Sequence, residues 1–319
     1  MKRAAILDDY QHVALTLADW NSLAPEVQVE AIHEHIADED RLAARLKDFE
    51  ILVIMRERTA FPRSLLEKLP KLELLVSTGP RNRSVDVKFA KAKGVTVCGT
   101  PSLGNPTAEL CWGLIIAVMR NIPAEDRATR LGAWQHHAPG PGLAGKTLGV
   151  IGLGRQGGAV AKLGKAFDMK LIAWSQNLKK ERCDELGVEF CSSKDELLGR
   201  ADVITIHLLL SDRTRHLIGA REFGLMKKTA YFINTSRGPI VDEAALIDTL
   251  EKRAIAGAAL DVFDIEPLPR DHTLRRLDNT VIAPHLGYGS LDNFEQMYRT
   301  AVDNIQAWLK GAPKNVMAD

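Results

Sequence analysis

The chain has 319 residues, which at roughly 150 residues per domain suggests about two domains. Lys and Arg total 42 against 41 Asp and Glu, so the formal net charge is +1 and the basic excess of a nucleic-acid binder is missing. The longest membrane-like stretch, Leu110 to Met119, falls far short of the ~20 apolar residues a spanning helix needs, so no membrane partner is expected.

At the N-terminus, Asp8 and Asp9 interrupt the run before a signal-peptide core can form, which predicts a cytoplasmic protein. The four cysteines, Cys98, Cys111, Cys183 and Cys191, have no C-x-x-C spacing and read as free thiols of a reducing compartment. Short aliphatic runs then follow one another: Ala4–Leu7, Val27–Ile32, Glu50–Met55, Leu72–Ser77 and Val95–Cys98. Helical or polar stretches separate them, a βαβα rhythm that predicts a parallel sheet covered by helices.

A break rich in Pro and Gly follows at Thr100–Glu109, placing a hinge near Thr100. The next run, Ala108–Arg120, reads as an apolar, buried helix, and residues 121–146 as a long irregular arm. From Lys146 the strand pattern resumes: Lys146–Gly152, Met169–Ser175, Ala201–Leu210, Thr229–Ser236, Ala254–Phe263 and Asn279–His285. Runs apolar on both faces indicate a second doubly wound sheet. A last helical stretch, Ser290–Gly311, is expected to return to the first domain. The fold class is therefore α/β with two doubly wound parallel-sheet domains. One comprises residues 1–99 plus 289–319, the other residues 100–288.

Gly152-Leu153-Gly154-Arg155-Gln156-Gly157 is a G-x-G-x-x-G between a predicted strand and a predicted helix, the context a dinucleotide fingerprint requires. Gly152 permits the tight turn, Gly154 the approach of a pyrophosphate, and Gly157 close helix–strand packing. The helix N-terminus offers unpaired N–H donors to the phosphates. About 20 residues on, an acid would hold the ribose of NAD. Here Trp174-Ser175-Gln176-Asn177 has neither an acid to repel a 2′-phosphate nor an arginine to bind one. Arg155, Lys179 and Lys180 are the nearby cations, so the cofactor reads as NAD or NADP, leaning to NADP or dual use.

Three charged or titratable residues follow predicted strands: Arg237, Glu266 and His285. Their types suit hydride transfer to a 2-keto acid. A histidine gives or takes the proton of the nascent hydroxyl near neutral pH. A carboxylate beside it favours the imidazolium and fixes its orientation. An arginine offers a planar fork to the carboxylate and keto oxygen of the substrate. Each residue alone would pass for an ordinary loop residue; their joint occurrence after a fingerprint carries the reading.

These residues lie in stretches that resemble the D-isomer-specific 2-hydroxyacid dehydrogenase family: GVIGLGRQGGAVA, INTSRGPIVDEAAL, GAALDVFDIEPLP and APHLGY. The resemblance covers nearly the whole chain and is that of a glyoxylate or hydroxypyruvate reductase-like member. It implies a Rossmann-type cofactor domain inserted into a flavodoxin-like substrate domain. It also implies that Arg237 binds substrate, Glu266 partners the base and His285 is the acid/base. Asp261 would hold the nicotinamide carboxamide, with Thr235 and Gly287 lining the cofactor cleft. The substrate loop would be Ser77–Arg83, here with Thr78, Gly79 and Arg81 as candidates and with Pro80 lacking an N–H. Glu266 argues against a formate dehydrogenase, which has glutamine there. No metal is needed. The expected partners are a small 2-keto or 2-hydroxy acid and a second copy of the chain, the homodimer being built on the segment from about Pro101 to Gly142. The rival expectation is a catalytically weak NAD(H)-sensing dimer that recruits a protein partner, as corepressors of this fold do.

Overall fold

The computed structural model describes residues 1–318. They divide into two compact units, Met1–Gly104 with the C-terminal segment from Ser290, and Asn105–Gly289.

The first unit holds five parallel strands: β1 (Lys2–Ile6), β2 (Val27–Ala31), β3 (Ile51–Ile54), β4 (Leu74–Ser77) and β5 (Thr96–Cys98). Their order is β2-β1-β3-β4-β5. Each central strand is a short aliphatic run with both faces covered, so β3 and β4 are buried at every residue. Three helices, α1 (Glu39–Leu46), α2 (Arg63–Glu67) and α3 (Val87–Ala92), supply the covering layer. The Asp38 and Asp86 carboxylates accept N–H groups at the starts of α1 and α3, satisfying donors that a helix cannot use itself. The C-terminal helix Leu291–Leu309 belongs to this unit, and Met317 N–H donates to Val97 O at 2.8 Å, tying the chain end to β5.

The second unit holds seven parallel strands: β6 (Thr147–Ile151), β7 (Lys170–Trp174), β8 (Glu189–Phe190), β9 (Val203–Ile206), β10 (Tyr231–Asn234), β11 (Gly257–Leu260) and β12 (Thr280–Ile282). The order β12-β11-β10-β9-β6-β7-β8 reverses direction at β6, the topological switch point where α/β sheets bind ligands beyond their strand ends. α4 (Pro106–Met119) is apolar nearly all round and packs on β10, β11 and β12.

The segment expected to be an irregular arm contains a helix, α5 (Ile122–Arg130). Pro123 sits in its first turn, where a missing N–H costs nothing, and an Asp126–Arg130 ion pair spans one turn. These local signals outweigh the Pro/Gly content that made the stretch look irregular. The helices α6 (Arg155–Ala166), α7 (Lys180–Leu186), α8 (Lys194–Arg200), α9 (Ala220–Phe223) and α10 (Glu243–Glu251) complete the unit. Among the described residues no helix is long and apolar enough to cross a membrane. All four cysteines are buried and unpaired.

Candidate active site

Every cofactor or catalytic candidate of the second unit follows the carboxyl end of a strand. Gly152 follows β6, Ser175 follows β7, Thr235 and Arg237 follow β10, Asp261 and Glu266 follow β11, and His285 and Gly287 follow β12. Parallel pairing therefore delivers all of them to one edge of one sheet.

In the glycine loop, Gly152 takes a φ of 98° and donates its N–H to Trp174 O at 2.9 Å, so the turn leaves β6 sharply toward α6. A side chain at Gly157 would collide with the Gly152 carbonyl. At Gly154 a Cβ would meet only open space, so the backbone that opens α6 is bare on that side. Gln156 Oε1 and Thr235 Oγ1 are buried without a hydrogen bond of ordinary length; the Cys111 thiol, a weak partner, lies near Thr235. Bare backbone at a helix N-terminus together with orphaned buried polar atoms fits a dinucleotide. The Arg155 side chain starts α6, and Ser175 is half-buried just past β7.

The loops that carry the chemistry are tied to one another. Asn234 Nδ2 donates to Arg237 O at 3.0 Å, and Ser236 Oγ donates to Ile206 O at 2.7 Å. Arg237 Nη1 donates to Ser236 O at 2.7 Å, which turns its guanidinium back over its own loop. Gly238 presses so closely on the 263–264 backbone that a Cβ would collide with the Phe263 carbonyl. That contact docks the Arg237 loop onto the loop bearing Glu266. Glu266 uses both oxygens: Oε1 accepts the Phe263 N–H at 2.9 Å, and Oε2 lies 2.5 Å from His285 Nδ1. The His285 ring meets Tyr288 edge-on at 5.8 Å between centroids. Its backbone occupies the left-handed region (φ 55°), a conformation that costs on the order of 1 kcal/mol and that the surrounding ties must hold.

Asp261 supplies one of those ties. Its two oxygens accept the N–H groups of Leu286 at 2.6 Å and Gly287 at 2.8 Å. Burial pushes its carboxyl up to about 6, the two N–H donors and the nearby His285 opposing that rise only in part. His207, at the end of β9, shares a 3.0 Å hydrogen bond with Thr205 Oγ1, and burial drives its imidazole down to about 4. It is neutral at physiological pH.

Thr78, Gly79 and Arg81 lie in the first unit, past the end of β4. The loop amides are committed elsewhere: Thr78 N–H donates to Ile54 O at 2.9 Å and Gly79 N–H to Thr100 Oγ1 at 2.8 Å. Arg81 points to solvent as an exposed residue. The guanidinium over Gly79 is that of Arg56, where a Cβ on Gly79 would strike it; Glu57 is its 3.6 Å ion-pair partner. Sequence reasoning passed over Arg56, although a cation just after a buried strand such as β3 stands where such sheets receive ligands.

The family model for the D-isomer specific 2-hydroxyacid dehydrogenase NAD binding domain matches residues 112–287. The chain belongs to the D-isomer specific 2-hydroxyacid dehydrogenases. It is 41% identical over 263 residues to a glyoxylate reductase of Aeropyrum pernix, covering 79% of this chain and 78% of the relative. The crystal structure of a putative D-3-phosphoglycerate dehydrogenase from Ralstonia solanacearum superposes with a TM-score of 0.93 at 36% identity, over 99% of this chain and 96% of that one. A phosphoglycerate oxidoreductase from Vibrio cholerae gives 0.92 at 35% identity, over 98% and 100%. This 2-hydroxyacid dehydrogenase is thus an NAD(P)-dependent oxidoreductase whose second unit is the family's NAD-binding domain.

Proposed function

We propose that this dehydrogenase reversibly reduces a small 2-keto acid to the D-2-hydroxy acid, with His285 as acid/base and Arg237 as the substrate-binding cation. The observation that carries the reading is the 2.5 Å contact between Glu266 Oε2 and His285 Nδ1, on a loop docked through Gly238 to the one bearing Arg237. Because Nδ1 is committed to the carboxylate, Nε2 is the nitrogen that exchanges a proton with the substrate oxygen. Glu266 fixes the orientation of the ring through Nδ1, and Arg237 stabilises the negative charge that builds on the keto oxygen. The reduced nicotinamide, when bound, supplies the hydride. Gly152, Gly154 and Gly157 with Arg155, Gln156 and Ser175 would hold its dinucleotide, and Thr235, Asp261 and Gly287 its nicotinamide end.

The loop Thr78–Arg81 and the guanidinium of Arg56 support an acidic substrate. With the Thr78 and Gly79 amides engaged and Pro80 lacking an N–H, positive charge is what this loop has to offer. The glyoxylate reductase relative makes glyoxylate and hydroxypyruvate the first compounds to try. α5 has no buried residue, and Leu131 and Trp134 just beyond it are more than four-fifths exposed, which supports a homodimer built on this segment. Four unpaired cysteines support a cytoplasmic home.

The deciding experiment offers a panel of 2-keto acids to the purified protein with NADH and with NADPH. Stereospecific formation of a D-2-hydroxy acid, abolished in His285→Ala, is the expected result. Failure to reduce any of the panel overturns the assignment.

A further inference from the structure

β7 ends at Trp174, and the three residues beyond it, Ser175, Gln176 and Asn177, are neutral. In a dinucleotide fold an acid at this place grips the ribose of NAD and repels a 2′-phosphate, whereas an arginine nearby accommodates the phosphate. No arginine is present within this turn, but one arrives from a distant part of the chain. Arg213 Nη2 donates to Asn177 Oδ1 at 3.4 Å across 36 residues of sequence.

The turn bearing Arg213 is well held. Ser211 N–H donates to Thr214 Oγ1 at 2.8 Å, and that hydroxyl donates to Leu209 O at 2.7 Å. Arg215 N–H closes the turn onto Ser211 O at 2.9 Å. The turn follows β9, which lies on the far side of β6 from β7, so the arginine reaches over the switch point to the end of β7. The contact with Asn177 is long and involves a neutral acceptor, so a phosphate would displace it at little cost. Lys179 and Lys180 add positive charge beside the turn, and Asp212 and Glu181 are the acids nearest in sequence.

We infer that Arg213, with the Ser175 hydroxyl and the Asn177 amide, forms a receptor for the 2′-phosphate of NADP and sets this enzyme's cofactor preference toward NADPH. The inference rests on the reading of Gly152–Gly157 as a dinucleotide loop. A planar guanidinium engages two phosphate oxygens at once, and a serine hydroxyl and an amide N–H complete a donor set around them.

Calorimetric titration with 5′-AMP and with adenosine 2′,5′-bisphosphate tests it on the whole protein without turnover, because the two probes differ by the 2′-phosphate alone. The unaltered enzyme should bind the bisphosphate tighter by on the order of tenfold to a hundredfold. In Arg213→Ala that ratio should collapse toward one. Arg213→Lys, which keeps the charge and loses the fork, should recover part of it. Ser175→Asp should invert the preference. Equal affinity for the two probes in the unaltered enzyme, or a ratio that survives Arg213→Ala, overturns the inference while leaving the dinucleotide loop in place. Binding of neither probe overturns both.

Discussion

Glu266 Oε2 and His285 Nδ1 meet at 2.5 Å from the ends of adjacent parallel strands, β11 and β12, although 19 residues separate them in the chain. The carboxylate holds Nδ1 and so orients the ring, leaving Nε2 to face the keto oxygen. Glu266→Gln keeps the shape and removes the charge. Reduction should slow by roughly 10²–10⁴-fold, the range for general acid–base catalysis. Steady-state kinetics on one keto acid measure the loss, and an unaltered rate in Glu266→Gln would show that the carboxylate charge is not needed.

Arg237 should matter as a fork and not only as a charge. Arg237→Ala is expected to lower kcat/KM by on the order of 10²–10³-fold, the scale for removing one donor to a developing oxyanion. Arg237→Lys should restore a small part of it, because an ammonium cannot engage two oxygens in a plane. Steady-state kinetics of both variants on one keto acid decide the matter. Full activity in the lysine variant would reduce Arg237 to a general electrostatic role.

Gly238 makes a third test, one of architecture. A Cβ there would collide with the Phe263 carbonyl and lie 2.6 Å from Asp264 N, so Gly238→Ala must push the arginine loop off the loop that carries Glu266. Misplacement by about 1 Å is enough to cost ~100-fold in rate, and overpacking adds about 1–3 kcal/mol of destabilisation. Gly199→Ala is the control. Its nearest obstacle, Leu225 O, is 3.9 Å away, and Gly199 is an exposed position of α8, where alanine is the better helix former. Thermal melts and kcat/KM should separate the two variants clearly, and similar behaviour would discredit the docking contact.

The parts of this fold that were legible in the sequence are those built from repeated, redundant signals. The central strands are short runs dominated by Val, Ile, Leu or Ala, and β6, β9 and β11 are followed at once by Gly152, His207 and Asp261, so site residues could be anticipated from where these strands stop. β8 escaped because two residues, Glu189 and Phe190, are too short to show a period. α5 escaped because a first-turn proline and an i,i+4 ion pair are weaker to the eye than the prolines and glycines around them. The positions of Arg56 over Gly79 and of Arg213 beside Asn177 depend on turn geometry that links residues 23 and 36 apart. No spacing rule encodes such contacts, so a charge count along the chain finds the arginines without finding what they face.

Asp261 and His207 are expected to give the protein's stability opposing pH slopes. Burial raises Asp261 from 3.8 to about 6. Between those values the folded protein holds a proton that the unfolded chain has released, so this contribution is greatest below pH 3.8 and is lost as pH rises through 6. His207 runs the other way. Burial lowers it from 6.5 to about 4, so its contribution is present above pH 6.5 and is lost as pH falls toward 4. The two slopes partly cancel between about pH 4 and 6. Asp261→Asn removes one of them, and unfolding free energy should then fall more steeply on acidification, by up to about 1.4 kcal/mol per pH unit. His207→Gln should flatten the same curve. Urea unfolding at half-unit steps from pH 4.5 to 6 measures both slopes, and parallel curves for Asp261→Asn and the unaltered enzyme would show that Asp261 does not carry its proton into this range.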